Sequence, residues 1–212
     1  MAHVLVIGAS KGIGLEAIRQ AIEAGHEVRA FARSADGISL SSPRLEKVRG
    51  DALNSQDVEA ALNGVDVVVQ TLGVALGDLF RPVHLFSKAT RVMVAAMTTH
   101  GVERLICVTG FGAGDSRSSI SCLQRIPFQV VFRRAYEDKS LQELLIKESS
   151  LDWTIVRPGV LTGGPRTGRY KILDEAARWR NGIISRADVA DFIVRQIEVQ
   201  TYLRKTPVLV TW

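Results

Sequence analysis

Cysteine is scarce: Cys107 and Cys122 are the only two in 212 residues. So small a number excludes a disulfide scaffold and fits a reducing compartment. Cys107 lies inside an apolar run, where a core role is a better reading than a nucleophile. Histidine is also sparse. His3, His26, His84 and His100 are dispersed, and no Cys/His spacing matches a metal-ligand set, so no metal is expected. No apolar run reaches the roughly 18–20 residues that a membrane helix needs. The N-terminus has no basic region and enters a strand at once, which does not read as a signal peptide. A cytoplasmic protein without membrane association is the expectation.

Charge is not lacking, but it is scattered. The net charge is +5, which raises the question of nucleic acid. The densest basic groups, Arg133-Arg134, Arg178 with Arg180, and Arg204-Lys205, have no interleaved aromatics. No nucleic-acid partner is therefore expected, and a basic cleft for a phosphorylated small molecule accounts for the excess as well. Hydrophobic residues make up 46% and charged residues 23%, an ordinary globular balance for one domain with a full core.

What is present is concentrated at the N-terminus. His3–Ile7 reads as a short apolar strand, Gly8-Ala9-Ser10-Lys11-Gly12-Ile13-Gly14 as a glycine-rich turn, and Leu15 onward as an amphipathic helix. Such a turn presents bare backbone N–H groups and the positive end of a helix dipole at one point, where a dinucleotide pyrophosphate binds. Glycine spacing alone is weak, because a plain β–α turn has it too. Its place directly after a strand strengthens it, as does a second strand, Glu27–Phe31, one helix length later.

That second strand runs into Ala32-Arg33-Ser34, the position at which a Rossmann fold inspects the adenosine ribose. A carboxylate there accepts from the 2′-hydroxyl of NAD and repels the 2′-phosphate of NADP. Arg33 is instead a bidentate phosphate ligand, and no acid follows until Asp36. Lys11 and Ser34 could add donors. The cofactor expected is NADP(H). A solvated surface arginine is the alternative reading of Arg33.

Strands and helices alternate to the end. Strands are expected at Leu45–Arg49, Val65–Val69, Glu103–Val108, Thr154–Arg157 and Pro207–Val210. Helices are expected at Ser55–Leu62, Leu85–Thr99, about Ala135–Glu148, and Ala187–Val199. Asn54 reads as an N-cap with Asp57 in a capping position, and Ser185 to Asp188 as a capping box. The fold expected is α/β: a single-domain, Rossmann-type, doubly wound, mostly parallel sheet with helices on both faces, spanning 1–212. Ligands bind outside the carboxyl ends of such strands, where strand order reverses. The loops there are Gly8–Gly14, Arg33, Asp51, Thr71–Gly73, Thr109–Gly114 and Pro158–Gly164. The stretch Leu161–Ile183 remains as a substrate-capping insertion. It carries Arg166, Arg169, Tyr170, Lys171 and Arg180, which would suit an anionic acceptor or simply face solvent.

The glycine turn, Gly50-Asp51, Thr71-Leu72-Gly73 and Trp153-Thr154-Ile155-Val156-Arg157-Pro158-Gly159 together resemble the atypical short-chain dehydrogenase/reductases. The branch that the chain resembles is the small NAD(P)H-binding proteins that include flavin reductase (biliverdin reductase B). The resemblance implies a cofactor site made of Gly8, Ser10, Lys11, Gly12, Ile13, Gly14, Arg33 and Ser34, with Asp51 and Ala52 at the adenine. Leu72 and Gly73 would line the path to the nicotinamide ribose. Thr109 and Gly110 would lie near the nicotinamide, and Pro158, Gly159 and Val160 behind its ring. Asp51 could instead be a helix-entry cap, and Pro158-Gly159 a strand terminator.

The chain departs from the pattern where a general acid is expected. Many members use a serine, and a tyrosine with a lysine four residues later. Here Gly110 stands where flavin reductases commonly carry serine, and the nearest dyad is Tyr136 with Lys139, three residues apart. The candidate catalytic residues are Thr109, Tyr136 and Lys139, with helix packing the alternative for Tyr136. The resemblance implies NADPH-dependent hydride transfer to a flavin, quinone or similar conjugated acceptor, for which positioning matters more than an acid. Phe111, Phe80, Leu79 and Trp179 could wall the acceptor or could equally belong to the core. A non-catalytic NADP(H) sensor that binds a regulator partner is the alternative. An epimerase or dehydratase is disfavoured by the short stretch after Pro158. Nothing in the sequence bears on oligomeric state.

Overall fold

The structure is a computed structural model that describes residues 1–74, 83–119 and 122–212, with the backbone course alone for 122–132. Its elements in chain order are β1 (His3–Ile7), α1 (Gly12–Glu23), β2 (Glu27–Ala32), β3 (Leu45–Arg49), α2 (Ser55–Ala61), β4 (Val67–Gln70) and α3 (Leu85–His100). Then come β5 (Arg104–Val108), α4 (Cys122–Lys147), β6 (Asp152–Pro158), β7 (Val160–Thr162), β8 (Lys171–Leu173), β9 (Ile183–Ser185), α5 (Arg186–Glu198) and β10 (Val208–Val210).

The main sheet runs β3-β2-β1-β4-β5-β6-β10-β8, and β7 pairs with β9 in a small second sheet. Every pair in the main sheet is parallel except β10 with β8. Parallel strands buried on both faces read as continuous apolar runs, and Val4 to Ile7 shows why. Val4 and Val6 pack into one core, with Ile18 and Ala21 of α1 and Val189 and Phe192 of α5. Leu5 and Ile7 point the other way, toward Val58 of α2 and Met93 and Met97 of α3. The period of two along a strand thus divides one run between two helical layers.

Strand order reverses between β1 and β4, the sheet's topological switch point. Two caps place the helices that border it. Asn54 Oδ1 accepts from the Gln56 and Asp57 amides, and Ser185 Oγ accepts from the Asp188 amide. Neither cap is reciprocated in the expected way. Asp57 Oδ2 accepts from the Asp51 amide (2.8 Å), which ties the end of β3 to α2. Asp188 accepts from the Thr167 and Gly168 amides (2.7 and 2.9 Å) and from the Thr167 hydroxyl (2.9 Å).

That second substitution of partners redirects the segment expected to cap the substrate. Residues 163–170 run along α1 and α5. Arg166 reaches Glu23 and Gln20, and the Tyr170 hydroxyl donates to Asp191 (2.8 Å). Lys171 and Arg180 stack on Trp212. These side chains are committed on the far side of α1 and α5 or at the β8 edge. Of the segment, Leu161 lines the ligand cleft described below. The expected strand at Val65–Val69 is shifted to β4, because Val65 closes the preceding turn by donating to the Leu62 carbonyl. The expected helix from Ala135 begins a further three turns earlier, as α4.

Candidate functional site

At the switch point lies a cleft of about 690 Å³. Gly8, Ser10, Lys11, Gly12 and Ile13 form its floor, Arg33, Ser34, Asp51 and Ala52 one end, and Leu72, Gly73, Thr109 and Lys139 the other. Two glycines are required by close approach. A Cβ on Gly8, which has φ +90°, would stand 2.9 Å from the Thr71 carbonyl. A Cβ on Gly14 would collide with the Gly8 carbonyl oxygen and Thr71 Oγ1. Gly14 therefore lets α1 start against the turn without lining the cleft itself.

The N-terminus of α1 is left open to a ligand. Lys11 occupies the cap position with extended backbone and makes no side-chain cap, and the first turn holds no acid. Its orphan N–H groups sit in a cleft whose lining, among the described residues, carries Lys11, Arg33, Lys139 and Arg186 against the carboxylate of Asp51. A dinucleotide, with several phosphates, fits that charge and that helix end. Arg33 and Ser34 are exposed at the end of β2 and border the cleft. Asp51 does not cap α2, a place taken by Asn54. The Asp51 Oδ1 accepts from the Leu53 amide (3.0 Å), a local turn, while the residue still borders the cleft.

The other end of the cleft holds a buried charge network. Thr109 Oγ1 donates to Glu143 Oε1 (2.7 Å). Arg157 donates from Nε to the same oxygen (3.0 Å) and from Nη2 to Glu143 Oε2 and to Asp115. The Arg157 guanidinium also lies 4.9 Å from the centre of the Trp179 ring. Burial alone would lower the Arg157 pKa, but Glu143 and Asp115 more than offset it and hold the guanidinium charged. This network was not foreseen, because its members come from separate elements and no local pattern in the sequence joins them.

Lys139 Nζ donates to the Thr109 carbonyl and stands 5.0 Å from the Phe86 ring centre and 5.6 Å from that of Tyr136. Burial lowers its pKa to about 8, against the opposing pull of Glu143. Burial raises that of the Tyr136 phenol to about 12. Tyr136 explains Gly110: a Cβ there would lie 2.8 Å from the Tyr136 hydroxyl. The phenol fills the space a serine side chain would enter, so the departure from serine and the presence of tyrosine are one packing solution. Tyr136 and Gly110 stand behind Thr109 and Lys139 and do not themselves line the cleft.

Several expected wall residues are placed elsewhere. Phe111 is buried with Leu173, Val208 and Val210, because its amide donates to the Pro158 carbonyl and folds the loop back onto the sheet. Trp179 packs on the same cluster and donates from Nε1 to the Leu173 carbonyl. Pro158 is buried at the end of β6, Gly159 abuts the Gly182 carbonyl, and Val160 is exposed, so none of the three lines the cleft. Leu79 and Phe80 lie outside the described residues. Cys107 is fully buried beside Gln70, and burial pushes its thiol pKa up, which suits an inert core residue. The Cys122 side chain lies outside the described residues. No cluster of potential metal ligands occurs among the described residues, and no helix among them is long and apolar enough to cross a membrane.

Thr71 and Leu161 fall within the loops expected to meet a ligand and line the cleft, whereas sequence reasoning missed Val74, Leu85 and Arg186. Arg186 carried one weak signal, its place directly after the Ser185 cap.

A family model described as NAD(P)H-binding matches residues 8–200. The chain belongs to that family. ChuY of Escherichia coli O157:H7, described as an anaerobilin reductase, has 27% identity and a TM-score of 0.81, over 98% of this chain and 96% of its own. A chloroplastic protein of Arabidopsis thaliana, At2g34460, uncharacterized, is 29% identical over 92% of this chain and 71% of its own. YhfK of Bacillus subtilis, described as an uncharacterized sugar epimerase, is 28% identical over 92% of this chain and 87% of its own. The fold, the glycine turn and the family agree on a nicotinamide dinucleotide as the ligand class of the cleft.

Proposed function

We infer that this NAD(P)H-dependent reductase uses NADPH and delivers hydride to a flavin, quinone or similar conjugated acceptor. The observation that carries the NADPH preference is the end of the cleft made by Arg33 and Ser34 at the close of β2. Among the described residues, the carboxylate of the lining beside them is Asp51, which turns toward the Leu53 amide. A 2′-phosphate there gains a guanidinium and a hydroxyl, with Lys11 across the glycine turn as a further cation.

When bound, the reduced nicotinamide supplies the hydride. The chain's residues bind and orient. The open α1 N-terminus would hold the bridging phosphates, and Gly8 and Gly14, with no side chain to strike Thr71 or the Gly8 carbonyl, let the turn and α1 pack closely enough to present it. Thr109 and Lys139 border the reacting end, where Glu143 fixes the Thr109 hydroxyl and the Thr109 carbonyl fixes the Lys139 ammonium. A conjugated acceptor takes the electron pair into a delocalised system, and its proton comes from water or from Lys139. With a pKa of about 8, Lys139 is charged at neutral pH and close enough to titration to donate. The reductase reading, apart from its acceptor, is supported by the description of the Escherichia coli relative.

The test is to mix the purified protein with NADPH and, in turn, FMN, a short-chain quinone and anaerobilin, and to follow the nicotinamide absorbance. Protein-dependent oxidation with at least one acceptor is the expected result. Tight NADPH binding without turnover on any of the three overturns the reductase reading in favour of a sensor. Epimerisation of a sugar nucleotide with no net cofactor consumption overturns it in favour of the activity in the name of the Bacillus relative.

A further inference from the structure

We propose that Arg186, the first residue of α5, is a second phosphate arm that closes over the glycine turn onto the dinucleotide pyrophosphate. The inference rests on the cofactor reading above and assigns one of its contacts to an element outside the β1–turn–α1 unit. Arg186 lines the cleft. Its side chain crosses the turn: a Cβ built on Gly12 would lie 3.8 Å from Arg186 Cδ and 3.9 Å from Nε. A larger residue at position 12 would sit directly against the arm.

Three features hold the arm in place and leave its charge unspent. Gln20 of α1 donates from Nε2 to the Ala187 carbonyl (2.9 Å, buried), which locks the start of α5 against α1. Ser185 caps α5, so the backbone at Arg186 is set by the fold rather than by a ligand. The acids that follow on α5 are occupied. Asp188 takes the Thr167 and Gly168 amides, and Asp191 takes the Tyr170 hydroxyl and Arg195. Arg186 itself has no hydrogen bond or ion pair among the described residues. A half-buried guanidinium without a partner, lying over an uncapped helix N-terminus, matches the bridging phosphates in charge and in its planar donor fork.

The two arginines of the cleft then divide the cofactor. Arg33 reads the 2′-phosphate, which NADPH alone carries, and Arg186 grips the pyrophosphate, common to NADPH and NADH. The experiment measures dissociation constants for NADPH, NADH and adenosine 2′-monophosphate with the wild type, Arg186→Ala and Arg186→Lys. A charge-assisted phosphate contact corresponds to about tenfold or more in affinity. Arg186→Ala is expected to weaken NADPH and NADH by that same factor and to leave adenosine 2′-monophosphate unchanged. Arg186→Lys is expected to recover part of the loss. An unchanged thermal midpoint of the ligand-free variant separates lost binding from lost folding. Unchanged NADPH and NADH affinities in Arg186→Ala overturn the proposal, as does a raised KM for the acceptor alone. A wild type that binds neither dinucleotide overturns the cofactor reading instead.

Discussion

Removing Arg157 should expose how much of the site rests on one buried ion pair. Arg157 is fully buried, and the Glu143 side chain is 1% exposed. In Arg157→Met the Glu143 carboxylate keeps, among the described residues, the hydrogen bond from the Thr109 hydroxyl, 2.7 Å away, and the more distant Lys139 charge. Breaking a buried pair by deleting one partner costs about 3–5 kcal/mol, because the remaining charge is stranded away from water. For a domain of this size each kcal/mol lowers the thermal midpoint by about 2–4 °C, so the variant should melt about 6–20 °C lower. Replacing both partners, as in Arg157→Met with Glu143→Leu, removes the stranded charge and should return stability to within about 1 kcal/mol of the wild type. The assay is urea unfolding followed by far-ultraviolet circular dichroism, which is insensitive to the loss of the Trp179 stack. A single variant that loses less than about 1 kcal/mol would refute the reasoning. So would a double variant whose loss equals the sum of the two singles, since contacting residues that share a charge network must couple. The double variant should still turn over poorly, because Thr109 and the loop that carries the Lys139 contact lose their anchor.

Lys139 gives the pH dependence. Its pKa is about 8 when folded against 10.5 for an unperturbed lysine, so the unfolded chain binds more protons between those values and stability rises with pH across that window. Turnover should move the opposite way, falling above about pH 8 as the ammonium is lost. Lys139→Met should flatten that limb of the kcat profile, and an unaltered profile would remove Lys139 from the reaction. Gly110→Ser forces a Cβ against the Tyr136 hydroxyl and should cost about 1–3 kcal/mol, as overpacking does. Adding Tyr136→Phe should restore most of it, and chemical denaturation of the single and double variants reads both effects. Gly14→Ala drives a methyl into the Gly8 carbonyl and should abolish measurable dinucleotide binding in a fluorescence titration, with a lowered thermal midpoint.

What could be read from the sequence was what local physics decides. The strand–turn–helix at residues 3–23 depends on neighbours within a few positions, so glycine spacing and the apolar run suffice to place it. Arg33 followed because the end of β2 is fixed by the same unit. Caps were legible only as to their first bond. Ser185 and Asn54 cap as expected, but the partners of Asp188 and Asp57 come from loops distant in sequence. That is why the course of residues 163–170 along α1 and α5 was not legible. Phe111 was open between cleft wall and core, and its backbone bond to Pro158, distant in sequence, decides for the core beside β10. Glu143 and Arg157 lie on different elements, and nothing in either local pattern marks a pair. Only the packing of α4 on β6 brings them together. Arg186 belongs to the same class, since its contact with Gly12 exists only because α1 and α5 lie side by side.

The most direct test of the central claim is a titration of the wild type and Arg33→Ala with NADPH and with NADH. The account predicts that the wild type prefers NADPH. It also predicts that Arg33→Ala loses about 10–100-fold in affinity for NADPH, the range of a charged hydrogen bond to phosphate, while its affinity for NADH stays unchanged. Equal affinity of the wild type for both dinucleotides, or an equal loss for both in the variant, would contradict it.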